Sequence, residues 1–450
     1  MSNDLIVAKF GGSSMADATC MRRSAKVSFD QKANLVVVSA TYGTTNQLIQ
    51  ISNLASKGQW DECAELIEKI KTKHNDIASD LNCYESVREQ LETLYNELET
   101  LSKGVSLLRD LTPKAFDGLQ SLGERMSSLL FTYAMKEVHS ENKDVRLLDV
   151  RKVLRTDDRF NRASAQIDEI KELCDLHLGE ISNDVIFVTQ GFIGSTKDGE
   201  TTTLGRGGSD YSAALLAEGL RARTLQIWTD VAGIATTDPR IVKEAKLLGE
   251  ITFQEAAELA TFGAKILHPT TLTPALRANV QVFVGSSYEP DAPGTWIKKS
   301  TSEAPLIRAM AKREAQSLIT LSTPKMLHTH GFLFEIFKIF NNHRVSVDSI
   351  TTSEISVSLT VDDSTLLNKT LFEELSALGE VKIEGELSLV SLIGNNINHT
   401  PGLAARIFNA LGDINVRMIC LGASKHNFCF LVANDKASEC IEKLHKEFIA

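Results

Sequence analysis

Six short segments, residues 5–10, 34–40, 145–150, 184–192, 225–231 and 280–285, are rich in β-branched residues and mostly apolar throughout rather than alternating. Strands buried on both faces of a mainly parallel sheet read this way, and the helical patterns between them supply the crossovers that parallel pairing needs. Residues 1 to about 295 therefore read as one α/β sandwich. Between 54 and 102 the pattern is helical and rich in Glu and Lys, with no Pro and a single Gly. Its heptads are not sustained, so a solvated helical excursion is expected in place of a partner-binding coiled coil. Turn formers at Asp291-Ala-Pro-Gly294 and the charged stretch 298–305 set a domain boundary.

Past that boundary the chain repeats. A shift of 71 positions brings Ser317, Leu318, Leu321, Gly331, Ile336, Phe337, Val345, Ser353 and Val361 onto Ser388, Leu389, Leu392, Gly402, Ile407, Phe408, Val416, Ser424 and Val432 without a gap. Each copy reads strand, glycine turn, amphipathic helix, strand, strand. Register held over 45 residues argues against two unrelated α+β segments. Each copy has too small a core to stand alone, so the two are expected to pack on each other.

Composition narrows the function classes. With 450 residues, 43% of them hydrophobic and 24% charged, the chain is a folded globular protein of two or three domains. A net charge of −10 gives no footprint for nucleic acid or an anionic membrane, so any anionic ligand needs a local site. No segment approaches the ~20 apolar residues of a membrane span. Asp4 stands where a signal peptide would be basic, and seven Cys without a Cys-x-x-Cys pair read as free thiols in a reducing compartment. A soluble, cytoplasmic protein is expected.

Four strings carry candidate chemistry. Lys9-Phe-Gly-Gly-Ser-Ser14 follows the first strand directly. Paired glycines let backbone N–H groups approach a phosphate, the next helix would add its positive end, and Lys9 supplies a full charge. It is not a Walker A loop, since the nearest match, Gly118-Leu-Gln-Ser-Leu-Gly123, continues with Glu124 where Lys is required. A plain tight turn is the alternative. Thr201-Thr-Thr-Leu-Gly-Arg-Gly-Gly-Ser-Asp-Tyr211 leads into an apolar helix that Ser209 or Asp210 could simply cap. An Arg among flexible glycines suits bidentate binding of a carboxylate, and Asp210 suits an ammonium group or a metal-bound phosphate. Trp228-Thr-Asp-Val-Ala-Gly-Ile-Ala-Thr-Thr-Asp-Pro-Arg240 ends a strand with polar residues and a turn, where open α/β sheets bind ligands. Phe262-Gly-Ala-Lys-Ile-Leu-His-Pro269 puts Lys265 and His268 past a helix that Gly263 can end. There Lys265 could merely balance the helix dipole, and His268 reads as structural.

Taken with Ser39-Ala-Thr-Tyr-Gly-Thr-Thr-Asn46 and Ser121-Leu-Gly-Glu-Arg-Met126, these strings resemble the amino acid kinase family and its aspartokinases, over essentially the whole chain and in order. The resemblance implies an α/β/α kinase sandwich with a mostly parallel sheet over 1–295, then two α+β, ferredoxin-like ACT modules. Those would span 310–385, completed by the extreme C-terminus, and 386–450. It implies that Lys9, Gly11, Gly12, Thr229, Asp230, Arg240 and Lys265 serve ATP with Mg²⁺, and that Thr45, Glu124, Arg206, Ser209 and Asp210 serve L-aspartate. Lys9, Asp210 and Lys265 would act on the reacting phosphoryl group. Ser13 replaces the family's usual Thr and keeps the hydroxyl, whereas Ala235 lacks an aromatic ring that could contact the nucleotide. A kinase of glutamate or of a nucleoside monophosphate would use the same nucleotide loops. A catalytically dead sensor is disfavoured by intact Lys9, Arg206 and Asp210, and the chain holds no Gly-x-Gly-x-x-Gly dehydrogenase domain after the repeats.

The repeats differ where regulation could lie. Asp348 aligns with Ile419 and Glu354 with Lys425, so only the first copy offers acids there, which suggests one site for a cationic ligand. Free N–H groups at the glycine turn beside it could hold an α-carboxylate. An Asp on a solvated strand edge is the plain alternative. The stretch Thr351-Thr-Ser-Glu354 resembles lysine-sensitive aspartokinases and implies an L-lysine site of Met326, Thr329, Gly331, Phe332, Leu333, Ser346, Val347, Asp348, Thr352, Ser353 and Glu354. A homodimer through the ACT modules, or a tetramer, is the implied assembly.

Overall fold

The computed structural model describes residues 4–139, 143–263, 269–327, 329–362 and 364–449. The chain divides into two compact units, the first comprising 1–234, 247–253 and 266–300, and the second 235–246, 254–265 and 301–450. The boundary expected at 295 lies at 300, because the turn at 291–294 precedes one more strand of the first unit.

The strands of the first unit are β1 (Ile6–Phe10), β2 (Leu35–Val38), β3 (Asp144–Leu148), β4 (Val185–Gln190), β5 (Ile193–Ser195), β6 (Thr201–Thr203), β7 (Thr224–Thr229), β8 (Glu250–Thr252), β9 (Gln281–Ser286) and β10 (Thr295–Lys298). Eight form one sheet in the order β3-β4-β2-β1-β7-β9-β10-β8, while β5 and β6 pair separately. Every neighbouring pair of the large sheet is parallel except β9 with β10. All six expected segments are strands of this sheet. Central β2 is buried at every position, as its unbroken apolar run requires, and edge strand β3 exposes three of five.

Its helices are α1 (Ala18–Asp30), α2 (Thr44–Ser56), α3 (Trp60–Asp80), α4 (Tyr84–Leu108), α5 (Pro113–His139), α6 (Ile167–His177) and α7 (Gly208–Gly219). Further on, α8 (Phe253–Thr261) belongs mostly to the second unit and α9 (Pro269–Arg277) to the first. The helical region after residue 54 is not a solvated excursion. Ile67 and Ile70 of α3 and Leu91 and Leu98 of α4 share a core with Val36, Leu122 and Phe131. Apolar residues three and four apart form one buried stripe, and the abundant Glu and Lys occupy the opposite face.

In the second unit β11 (Ile307–Ser322), β12 (Ser349–Thr352), β13 (Ser356–Val361), β14 (Glu380–Gly394), β15 (Met418–Cys420) and β16 (Asn427–Ala433) make one antiparallel sheet ordered β12-β13-β11-β14-β16-β15. Helices α10 (Phe332–Asn342), α11 (Lys369–Leu378), α12 (Leu403–Leu411) and α13 (Ala437–Phe448) cover it. The 71-residue repeat is visible as structure: β11, α10, β12 and β13 recur as β14, α12, β15 and β16. Gly331 and Gly402 both cap their helices in the left-handed region, at φ 80° and 77°, where a side chain would be strained. Long β11 and β14 pair along their length with register shifts between Arg313 and Leu318. Each is thereby shared by two modules.

One core, around Ile319, Ile336, Phe340, Leu359 and Leu371, belongs to the first copy. Another, around Met310, Leu392, Ile407, Phe428 and Leu444, belongs to the second. The extreme C-terminus therefore completes the second module, contrary to expectation: α13 packs with α12, and residues 307–313 of β11 supply that module's remaining strand. Burying the apolar stripe of α13 requires the open face beside α12, because α11 already covers the first module.

Candidate active site

Parallel strands β1 and β7 end side by side, and Gly11 N–H extends their pairing by donating to Trp228 O at 3.2 Å. A Cβ on Gly12 would lie 3.3 Å from Ala40 O, so the turn passes close to the end of β2. The chain then makes a 3-10 turn, Gly12–Met15, and α1 starts only at Ala18 with Asp17 accepting from Cys20 N–H. The expected delivery of an α-helix N-terminus by this loop is thus not what the chain builds. Lys9, 8% exposed at the end of β1, reaches Asp210 Oδ1 with its Nζ at 2.5 Å.

Asp210 arrives from α7. The cap of this helix is Gly207, left-handed at φ 74° and without a side-chain cap, so the capping role expected of Ser209 or Asp210 is absent. Both fall in the first turn and line a cavity of about 400 Å³ together with Lys9, Ser39, Thr45, Gln120 and Arg206. A Cβ on Gly191 would meet Ser209 Cβ at 2.7 Å, which explains the glycine after β4.

The other expected residues are placed differently. Glu124 does not line the cavity; it sits one turn beyond Gln120 on α5, 3% exposed. Its Oε1 accepts from Ala40 N–H at 3.3 Å, its buried Oε2 has no partner, and burial pushes the carboxyl up to about 8. Thr229 and Asp230 end β7 outside the cavity lining, with Thr229 Oγ1 donating to Asp230 Oδ1 at 3.1 Å. Arg240 belongs to the second unit, where its guanidinium pairs with Asp238 at 2.6 Å and is 83% exposed. Lys265 and His268 lie outside the described residues.

Two residues that the motifs did not mark hold the cavity in shape. Asp117 of α5 is fully buried and accepts from Asn161 N–H at 2.9 Å, Thr203 N–H at 2.9 Å and Thr203 Oγ1 at 2.7 Å. Asn161 and Thr203 both line the cavity. Burial pushes this carboxyl up, against the opposing pull of those hydrogen bonds. His74 of α3 lies under the 39–46 loop. A carbonyl can only accept, so Nδ1 carries the proton towards Ile70 O at 2.8 Å and Nε2 accepts from Thr41 Oγ1 at 3.2 Å. Burial lowers the imidazole to about 4 and keeps it neutral. The available signal was an isolated polar residue at the buried spacing of an amphipathic helix.

The expected effector residues gather in the first ACT-like module. Met326 ends a 3-10 turn, Thr329 Oγ1 donates to Lys325 O, and Gly331, Phe332 and Leu333 form the cap and first turn of α10. Ser346, Val347 and Asp348 lead into β12, which contains Thr352. Ser353 and Ser356 share a 2.7 Å hydrogen bond, and Glu354 is exposed beside them. Asp348 is no solvated edge residue: its side chain is 17% exposed and lies 3.3 Å from Arg313 Nη1. Burial raises its carboxyl and Arg313 pulls it down. Among the described residues no helix is long and apolar enough to cross a membrane.

The amino acid kinase family profile matches residues 4–286, and an ACT domain profile matches 390–448. The chain is 47% identical to lysine-sensitive aspartokinase 3 of Escherichia coli (strain K12), across 98% of this chain and 99% of that protein. It is 35% identical to the chloroplastic aspartokinase 1 of Arabidopsis thaliana, across 98% of this chain and 80% of that one. Two solved structures of E. coli aspartokinase III superpose on it. The complex with aspartate and ADP, an R-state, gives a TM-score of 0.88 at 45% identity, covering 99% of this chain and 100% of the other. The complex with lysine and aspartate, a T-state, gives 0.85 at 46% identity over the same shares.

Proposed function

The chain belongs to the amino acid kinase family, among its aspartokinases, and from that premise we propose how its residues divide the work. It transfers the γ-phosphoryl group of ATP to the β-carboxylate of L-aspartate, giving 4-phospho-L-aspartate, and L-lysine inhibits it. The observation that carries this reading is the Lys9–Asp210 pair, at the C-terminal end of central strand β1 in one cavity with Thr45, Arg206 and Ser209.

The acceptor carboxylate is already ionised at pH 7, so no strong general base is needed. The difficulty is charge: two anions must be held in line. Lys9 answers it with a full positive charge where phosphoryl charge redistributes, and the turn presents the Gly12 backbone N–H, that of Gly11 being held by Trp228 O. Arg206 grips the α-carboxylate, and Thr45 and Ser209 hydroxyls fix its orientation. Glu124 lies outside the cavity lining with Oε2 buried and unpartnered, and would take the α-ammonium by giving up its proton when the substrate is bound. Asp210 holds the Lys9 ammonium in place, and is the carboxylate that would hold a Mg²⁺ ion, which would supply charge neutralisation there. Thr229 and Asp230, at the end of β7, serve the nucleotide.

L-Lysine is read by the first module, its ammonium by Asp348 in competition with Arg313 and its carboxylate by the first turn of α10. The same module leaves Leu333, Phe334, Phe337 and Ile350 between 38% and 65% exposed, an apolar surface that supports a homodimer through it. Hydroxylamine trapping of the acyl phosphate tests the activity. Equal ADP release with glutamate, or none with aspartate, would overturn the assignment.

A further inference from the structure

All seven cysteines are free thiols, and Cys420 alone is not buried. It ends the three-residue edge strand β15, between Ile419 and Leu421, which are 43% and 49% exposed. Its register partner on β16 is Cys429, 3% exposed. Directly opposed residues of an antiparallel pair point to one face with Cα atoms about 4.5–5.5 Å apart. A disulfide spans that range without backbone movement.

The two residues already share a hydrogen bond. Cys429 Sγ donates to the Cys420 carbonyl oxygen at 3.6 Å. Thr351 Oγ1, from β12 of the first module, lies 4.0 Å from Cys420 Sγ, and Ser349 also hydrogen-bonds it. Hydrogen bonding within the pair pulls the Cys420 thiol down and, with burial, pushes the Cys429 thiol up. Cys420, the partly exposed member on the edge strand, is the thiol an oxidant reaches first, and buried Cys429 directly opposite is the resolving thiol. Burial pushes Cys20, Cys63, Cys83, Cys174 and Cys440 up, away from reactivity.

We propose that Cys420 and Cys429 form a peroxide-sensitive modification site that closes to an intramolecular disulfide. The Cys420 thiolate attacks hydrogen peroxide; an S–O bond forms, the O–O bond breaks, and hydroxide leaves to become water. The sulfur, oxidised by two electrons, is now a sulfenic acid. Cys429 then attacks it, an S–S bond forms, the S–O bond breaks, and the hydroxyl departs with the Cys429 proton as water. Two thiols and one peroxide give one disulfide and two waters. The bond turns the Cys420 sulfur from Thr351 towards Cys429. Thr351 immediately precedes Thr352 of the proposed lysine set, so, on the reading of the first module as the lysine sensor, oxidation alters the lysine response.

The test uses the full chain, treated with hydrogen peroxide, alkylated and digested without reduction. Wild type is expected to yield a Cys420–Cys429 linked peptide two hydrogens lighter than the dithiol, reversed by dithiothreitol. Cys429→Ser is expected to stop at a sulfenic acid on Cys420 that dimedone labels. Alkylation of both cysteines in peroxide-treated wild type, or linkage of either to a different cysteine, overturns the site. Lysine inhibition is titrated in parallel, and the half-inhibitory concentration is expected to move by roughly fivefold or more. A complete linkage that leaves it unchanged overturns the regulatory half. Failure of the lysine reading itself shows separately, as a reduced enzyme that lysine does not inhibit.

Discussion

At the scale of single residues, the charges of the cavity should separate by kinetic signature. Lys9→Ala should lower kcat by about 100-fold or more, since its charge matters most in the transition state, with Tm little changed. Arg206→Ala should instead raise the KM for aspartate by roughly 10- to 100-fold, the cost of one charged bidentate contact. Wild-type kcat in a stably folded Lys9→Ala enzyme would defeat the charge argument. Glu124 makes a pH prediction. Its folded-state carboxyl stands at about 8 against an ordinary 4.5, so the folded chain keeps the proton that the unfolded chain gives up first. Its contribution is complete below about 4.5 and is lost as pH rises through about 8, at up to about 1.4 kcal/mol per unit. Glu124→Gln cannot ionise, so denaturant unfolding should show its stability gaining on wild type between pH 5 and 8. Parallel profiles would show that Glu124 is charged in the fold. Lys9, Thr45, Arg206, Ser209 and Asp210 stand out in the sequence because each sits in a local string, and the fold brings them to one cavity. Asp117 and His74 do not stand out, since what defines them is burial against segments tens of residues away.

Elements show the same division. Six of the eight strands of the large sheet could be read from their mostly apolar runs, but β8, Glu-Ile-Thr, and β10, Thr-Trp-Ile-Lys, could not, since polar residues at both ends leave no apolar run. Ser209 and Asp210 are ordinary cap residues, so the sequence leaves capping and binding both open; a glycine in the left-handed region performs the entry to α7 and leaves both side chains for the cavity. That entry is tightly packed. Gly191→Ala would press a methyl group to 2.7 Å from Ser209 Cβ and 2.9 Å from its Cα, so the first turn of α7 must move. An overpacking cost of about 1–3 kcal/mol should appear as a lower Tm, with a raised aspartate KM. Wild-type values for both would mean that the neighbouring backbone yields freely. The amphipathic α3 and α4 were expected in solvent since their charge was counted and their apolar stripe was not.

For the whole molecule, inhibition should follow L-lysine and not L-threonine. Asp348→Ala should raise the half-inhibitory lysine concentration by about tenfold or more while leaving uninhibited kcat intact, because Arg313 keeps Asp362 as a second partner. Inhibition by threonine alone, or unchanged lysine sensitivity in the variant, would refute the sensor assignment. Phe334→Asp should weaken the dimer in light scattering if that exposed face is the interface. The internal repeat was plain in the residues, yet which segments complete which module was not, since β11 and β14 each serve both. That sharing sets a timetable for synthesis. The first module is whole once residue 384 has emerged, whereas 307–313, made earlier, must wait for 387–394 and α13. At about 5–20 residues per second, residues 385–394 take roughly 0.5–2 seconds to follow on the ribosome. During that interval the earlier half of β11 has an unpaired edge, so the nascent chain matures out of numerical order, with the inner module finished before the one that encloses it.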